Sequence, residues 1–212
     1  MTNTELLAIF REEVSDLEVS YLWSDTLVYG YIDEAQKQFC RDTYGIEDAR
    51  THKVSIVAAT EWYTLSPKVL KVRAAVDSVT GVDIPLIAAE RMAGLGMRFD
   101  TREGPLRALI TGLEKGKLRA WPVPNTTSVA QLHVFRLSED MATGDEFEID
   151  DQHVRNLLYW VKYRAYSVQD SETYDKQSAA RNKADHEAYC ARAKDEQSRR
   201  MHTAGCVAYG GI

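Results

Sequence analysis

Leu70-Lys71-Val72-Arg73-Ala74-Ala75-Val76 carries apolar residues at 70, 72, 74 and 76 and charged ones at 71 and 73. That period of two is the signature of a half-buried strand, with the even-numbered side chains facing a core. The surrounding chain, from His52 to about residue 140, is built of short β-branched runs broken by glycine and proline, the one-dimensional look of an antiparallel strand region. Leu106 to Trp121 reads as a hairpin, because Glu114-Lys115-Gly116-Lys117 separates two runs of strand propensity. Val129 to Leu137 supplies a further strand, and Gly94-Leu95-Gly96 and Gly104-Pro105 bracket a loop between them.

Outward from this region the period changes to that of helices. Upstream, Thr2 with Glu5 fits a capping box, and Leu6, Leu7, Phe10 and Val14 share one face. Ser24 is placed to cap a second helix whose stripe is Val28, Ile32, Ala35 and Phe39, with Gly45 closing the run. Downstream, Asp150 stands as an N-cap, and Val154, Leu157, Leu158, Val161, Ala165 and Val168 form the buried stripe of a third helix. From Gln169 to Cys206 there is no Leu, Ile, Val, Phe or Trp, yet good helix formers predominate. Ser171 is placed to cap a last helix running to about Arg200, supported by the i,i+4 pairs Glu172/Lys176, Asp195/Arg199 and Glu196/Arg200. Ala180, Ala184, Ala188 and Ala191 make a small-residue stripe, with Tyr174 near its start. The stripe admits two readings: a helix lying on its own domain, or an intersubunit helix that a partner approaches closely.

These elements predict an α+β fold: a helical bundle of two N-terminal and two C-terminal helices, the last one long, with an inserted antiparallel β region. The expected organisation is a single domain over 1–212, with N-terminal helices in 1–50, the β-rich insertion in 52–140, C-terminal helices in 150–200 and a flexible tail over 203–212. Composition agrees with a globular protein, since 44 % of residues are hydrophobic and 27 % charged. No run reaches the length of a membrane span, and Met1-Thr2-Asn3-Thr4-Glu5 lacks the pattern of a signal peptide, so synthesis in a cytoplasm and no membrane partner are expected. Cys40, Cys190 and Cys206 are odd in number and widely spaced, with no CxxC pair, against a disulfide framework and against a zinc site. A net charge of −6 disfavours tight binding to a polyphosphate.

No catalytic constellation emerges. Gly94-Leu95-Gly96 lacks the third glycine of a dinucleotide loop, and Gly116-Lys117 is followed by Leu118 rather than the hydroxyl residue of a phosphate loop. His52, His133, His153, His186 and His202 form no HExxH, and there is no GxSxG. His186 and Cys190 stand four apart on one helix, the spacing of two ligands to one ion, but two are too few for a site. The acidic run Asp145 to Asp151 lacks the spacing and glycine of a calcium loop. No catalytic, cofactor-binding or metal residue is therefore assigned, and an enzyme would require His133 or His153 beside a carboxylate in a pocket.

The order of elements resembles the adaptor, or head-to-tail connector, proteins of tailed bacteriophages, in particular the tail tubular protein A-like branch beneath the portal. The resemblance spans nearly the whole chain. It is carried by Tyr63-Thr64-Leu65-Ser66-Pro67 before the strand Val69 to Val76, by Trp121-Pro122-Val123-Pro124 before Gln131 to Leu137, and by Trp160-Val161-Lys162-Tyr163-Arg164-Ala165-Tyr166 followed by Asp170 and the alanine-rich helix. It implies a structural virion protein, not an enzyme and without cofactors. Such a protein forms a ring, commonly dodecameric, under the portal at the head–tail junction. Its partners would be the portal protein, neighbouring adaptor subunits and a downstream tail or nozzle protein, with DNA passing through the channel without specific binding. The segment from about Ala184 to Ile212 would meet the portal, with Val207, Ala208, Tyr209, Gly210, Gly211 and Ile212 as contact residues. The alternatives are another phage assembly protein, in tail completion or head decoration, and less readily a small enzyme. Residues 80–105 match no family motif.

Overall fold

Helices flank a β-rich middle in the computed structural model, which describes residues 1–92, 102–169 and 173–201. Contacts divide the chain into two compact units: residues 1–44 with those from 138 onward, and Gly45–Leu137, inserted between the two halves of the first.

The helical unit begins with α1, Asn3–Val14, where the expected capping box forms: Thr2 accepts from the Glu5 N–H while the Glu5 carboxylate accepts from the Thr2 N–H. Helix α2, Asp25–Asp42, starts at Ser24, whose side chain accepts from the Leu27 N–H, and ends at Thr43. The third helix is interrupted. A first turn, α3 (Asp151–Val154), passes through a 3₁₀ turn at Arg155–Leu157 into α4 (Leu158–Tyr166). Asp150 occupies the N-cap position without a side-chain cap bond. Of the expected stripe, Val154, Leu157, Leu158, Val161 and Ala165 are buried, while Val168 lies past the end of α4 and is exposed. They join Leu6, Phe10, Val28, Ile32, Ala35 and Phe39 among the buried residues of this unit.

The last helix, α5, spans Lys176–Met201, about 39 Å at 1.5 Å per residue. Ser171 and Glu172, expected at its start, lie outside the described residues. The capping falls instead to Asp175, whose carboxylate accepts from the Gln177 and Ser178 N–H groups and from the Ser178 hydroxyl. An aspartate one residue before the first helical turn satisfies the orphan N–H groups directly.

In the inserted unit, β10 (Ser128–Arg136) is the central strand of one sheet. It pairs antiparallel with β1 (Ile46–Asp48) and β2 (Lys53–Ile56) along one edge and with β4 (Val69–Asp77) on the other. The second sheet runs β3 (Trp62–Thr64), β8 (Lys117–Trp121), β7 (Ala108–Thr111), β5 (Leu86–Ala88). The β7–β8 pair is the expected hairpin, with Gly112 and Gly116 at positive φ in its connection. Not every pairing is antiparallel, because β5 lies parallel to β7, and β6 (Glu103–Gly104) parallel to β9 (Val123–Pro124). Both sheets feed one core: Ile56, Ala75, Ala130, Leu132 and Val134 from the first, and Tyr63, Leu109, Leu118 and Ala120 from the second. Neighbouring positions of β7, Ala108 and Ile110, turn the other way to a smaller cluster with Met92.

The phase of β4 differs from the expected alternation. Its pairing with β10 slips twice, between His133 and Val134 and between Phe135 and Arg136, and each bulge inserts a residue that turns the following side chain to the opposite face. The residues that reach the core are therefore Val69, Val72 and Ala75, while Leu70 is exposed.

Gly45 marks the entry to this unit. Its φ is +76°, and a Cβ there would stand 2.6 Å from the Arg136 carbonyl oxygen. Gly81 has a similar φ of +70° but open space around it. Gly45→Ala should therefore cost more than Gly81→Ala: about 1 kcal/mol of backbone strain is common to both, and only the first adds a backbone clash. Urea unfolding monitored by tryptophan fluorescence would rank the two variants.

Candidate functional site: the terminal helix, its seat and an apolar loop

The sequence of α5 limits how it can be held. Its buried residues are Ala179, His186, Cys190 and Ala193, none of them large and aliphatic, so the bulk of the contact must come from the other side. It comes from aromatic residues. The Trp160 ring lies 5.0 Å from the His186 ring, and Tyr189 packs 5.9 Å from His153 and 6.4 Å from Phe39. Lys183 extends over Tyr163 at 5.7 Å and Lys194 over Tyr44 at 5.6 Å, cation–π contacts at the exposed margin of the seam. Small residues on one helix against large rings on another allow a close approach.

Polar groups fix the register along this seam. The His153 Nδ1 and the Tyr189 hydroxyl are 2.8 Å apart. The His186 Nε2 lies 3.2 Å from the Asp42 Oδ2 and 3.3 Å from the Cys190 Sγ, and the amide of Gln38 donates to both Asp42 oxygens at 3.0 Å. Burial pushes both histidines below the usual imidazole range; at His186 it outweighs the hydrogen bond to Asp42, which acts in the opposite sense. His186 is therefore neutral near pH 7, and its contact with Asp42 is a hydrogen bond rather than an ion pair. Burial also pushes the Cys190 thiol up to about 12, so it is no nucleophile. Asp42, His186 and Cys190 nevertheless form a group of donor atoms with metal-compatible spacing, within 4.8 Å of one another.

The outer face of α5 is different. Ala180, Ala184, Ala188 and Ala191 are all exposed, as is Tyr174 just before the helix. Arg181/Asp185, Lys183/Glu187, Asp195/Arg199 and Glu196/Arg200 form i,i+4 ion pairs around them, each of which supports helicity by about 0.2–0.5 kcal/mol. Val207, Ala208, Tyr209, Gly210, Gly211 and Ile212 lie outside the described residues.

A second surface was not legible in the sequence. The loop joining α1 to α2 exposes Leu17, Val19, Tyr21 and Leu22, continued by Leu27 on α2, with Val19 at 91 % relative exposure. It is held from beneath by Arg11, which is almost fully buried. Its guanidinium bonds Asp16 at 2.6 Å, the Trp23 carbonyl at 3.0 Å and the carboxylate of Asp25, and it stacks 3.5 Å from the Tyr21 ring. The free oxygen of Asp16 accepts from the Leu22 N–H. A buried pair of this kind costs desolvation, which the bonds of Arg11 to Asp16, Asp25 and the Trp23 carbonyl offset. The signal available in sequence was an apolar run flanked by Asp16 and Asp25, five and fourteen residues after Arg11.

These two surfaces lie on opposite sides of α4. Lys162 of α4 reaches Glu13 of α1, whereas Trp160, about 200° around the helix, meets His186 of α5. Of the histidines considered for catalysis, His133 pairs with Glu47, which also binds Arg73, at a partly exposed sheet surface, and His153 bonds Tyr189 and Gln152. No helix is long and apolar enough to cross a membrane among the described residues.

Comparison with known proteins gives the family. A family model described as the SU10 adaptor protein matches residues 1–207, and the chain belongs to that family of bacteriophage head–tail adaptors, structural proteins of the virion. No curated protein matches it.

The lowered histidines give the seam a pH dependence. A histidine whose folded value lies below its unfolded one stabilises the fold above about pH 6.5 and less as pH falls below it. The thermal midpoint should be flat above that value and decline toward pH 5, and His153→Gln should shallow the decline in differential scanning fluorimetry.

Proposed function

We propose that this adaptor assembles as a closed ring between portal and tail, each copy laying the outer face of α5 against the 12–25 region of its neighbour. The observation that carries the reading is that a net basic helix and an acidic, apolar-tipped loop lie on opposite sides of α4. Lys176–Met201 holds seven basic and four acidic residues, although the chain as a whole is acidic. Residues 12–25 hold Glu12, Glu13, Asp16, Glu18 and Asp25 and no lysine or arginine. Arg11 neutralises Asp16 and Asp25, and Lys162 and Arg155 neutralise Glu13, which leaves Glu12 and Glu18 without an ion-pair partner among the described residues.

A contact between two different faces of one subunit is heterologous, and a heterologous contact closes into a ring when its rotation permits. The apolar loop residues Leu17, Val19 and Leu22 supply area to bury, and the small-residue stripe Ala180, Ala184, Ala188 and Ala191, with Tyr174, supplies a surface that they approach closely. Flanking charges set direction and register more than strength. In this reading Val207, Ala208, Tyr209, Gly210, Gly211 and Ile212 reach the portal protein. The inserted β unit faces the downstream tail or nozzle protein. DNA passes through the ring without specific contacts, in keeping with a net charge of −6. A dodecamer is the expected ring.

Light scattering and negative-stain images of the protein mixed with its portal test the arrangement. The exposed substitutions Arg181→Glu with Arg192→Glu should abolish rings while leaving the monomer folded, and Glu12→Lys with Glu18→Lys on the same chain should restore them; full assembly by the first variant alone would refute the contact. Removing 203–212 should leave the melting temperature unchanged and eliminate portal binding in a pull-down, and retained binding would contradict the role given to the tail.

A further inference from the structure

We propose that Asp42, His186 and Cys190 form a binding site for one zinc-type divalent cation that clasps α5 to the end of α2. One ligand atom from each of the three residues lies within 4.8 Å of the other two. One imidazole nitrogen, the His186 Nε2, faces both the Asp42 Oδ2 at 3.2 Å and the Cys190 Sγ at 3.3 Å. A neutral Nε2–H can be shared between the carboxylate and the weakly accepting sulfur, so the three donor atoms meet around a single proton. The other ring nitrogen, Nδ1, is buried and has no hydrogen-bond partner among the described residues. For the thiol, this same Nε2 is the only such contact among those residues.

A cation between the three atoms would replace that shared proton, each residue then offering a lone pair to a common centre. Tetrahedral zinc, with bonds of about 2.0–2.1 Å to nitrogen and oxygen and about 2.3 Å to sulfur, sets its ligand atoms roughly 3.3–3.6 Å apart. The two nitrogen-centred separations, 3.2 and 3.3 Å, fall at or just below that range, and the third is within 4.8 Å. The thiolate and the imidazole in this donor set favour zinc over magnesium or calcium.

The surroundings fit the same use. His186 and Cys190 are almost fully buried, with the Trp160 ring beside the imidazole. The Asp42 side chain is 35 % exposed, which gives an ion a way in and leaves the fourth position to water. Gln38 holds both Asp42 oxygens, the orienting role of an outer-shell residue. On binding, the Cys190 proton leaves to solvent and the imidazole proton moves to Nδ1. Because Nδ1 finds no acceptor there, the site should bind more weakly than a closed four-ligand one. None of this depends on the ring reading above.

Cobalt titration of the intact, chelator-treated chain tests the site. One equivalent should produce a thiolate-to-cobalt charge-transfer band that zinc displaces, and zinc should raise the melting temperature. Cys190→Ser should abolish the band, Cys206→Ser should preserve it, and Gln38→Ala should weaken binding about 10- to 100-fold. Should Cys190→Ser fail to fold, the partly exposed Asp42→Asn decides, with weakened cobalt binding expected. No band in the unaltered chain, a band that survives Cys190→Ser, or unchanged affinity in Asp42→Asn would each overturn the proposal.

Discussion

A long helix with no large aliphatic residue on its inner face must borrow the bulk of its contact, and that constraint shapes the helical unit. Ala179, Ala193, Cys190 and His186 leave shallow relief on α5, so Trp160, Tyr163, His153, Phe39 and Tyr44 come from α2, α4 and their flanks to fill the seam. Rings against small side chains bring two helix axes close and make the fit sensitive to position. The polar contacts of His153 with Tyr189 and of His186 with Asp42 then select one register. With the inner face committed in this way, the outer alanines are left at the surface.

The α1–α2 loop shows the converse arrangement. Apolar side chains that would gain by burial stand exposed on a loop pinned by the buried Arg11, which is bonded to Asp16, Asp25 and the Trp23 carbonyl. Desolvating the guanidinium costs stability that a hydrophobic substitute would not, and such a cost is compatible with selection for a fixed, exposed apolar surface. In the proposed ring such a surface would be preformed, so little ordering entropy would oppose association.

What was legible in the sequence was local. The Thr2–Glu5 capping box, the Ser24 cap, the stripes of the first three helices and the β7–β8 hairpin each depend on residues a few positions apart, and each forms. The core face of β4 was not legible, because its two bulges are set by pairing with β10, and a bulge reverses an alternation that is regular in one dimension. The start of α5 turned on a competition between Ser171 and Asp175, which differ little in capping power. At the candidate sites the same divide holds. His186 and Cys190 could be seen to share a helix face, but Asp42, 144 residues from His186, is brought to them only by the packing of α5 on α2. Leu17, Val19 and Leu22 look in sequence like any apolar run, and the buried Arg11 that pins their loop is seen only in the fold.

The position of the outer face of α5 in the assembled particle is the central feature of the proposed ring. An electron cryomicroscopy map of the virion's head–tail junction, resolved to side chains, measures it directly. The prediction is that Ala184 and Ala188 of each copy pack against Leu17 and Val19 of the next around a closed ring. A ring in which those alanines face solvent would contradict it.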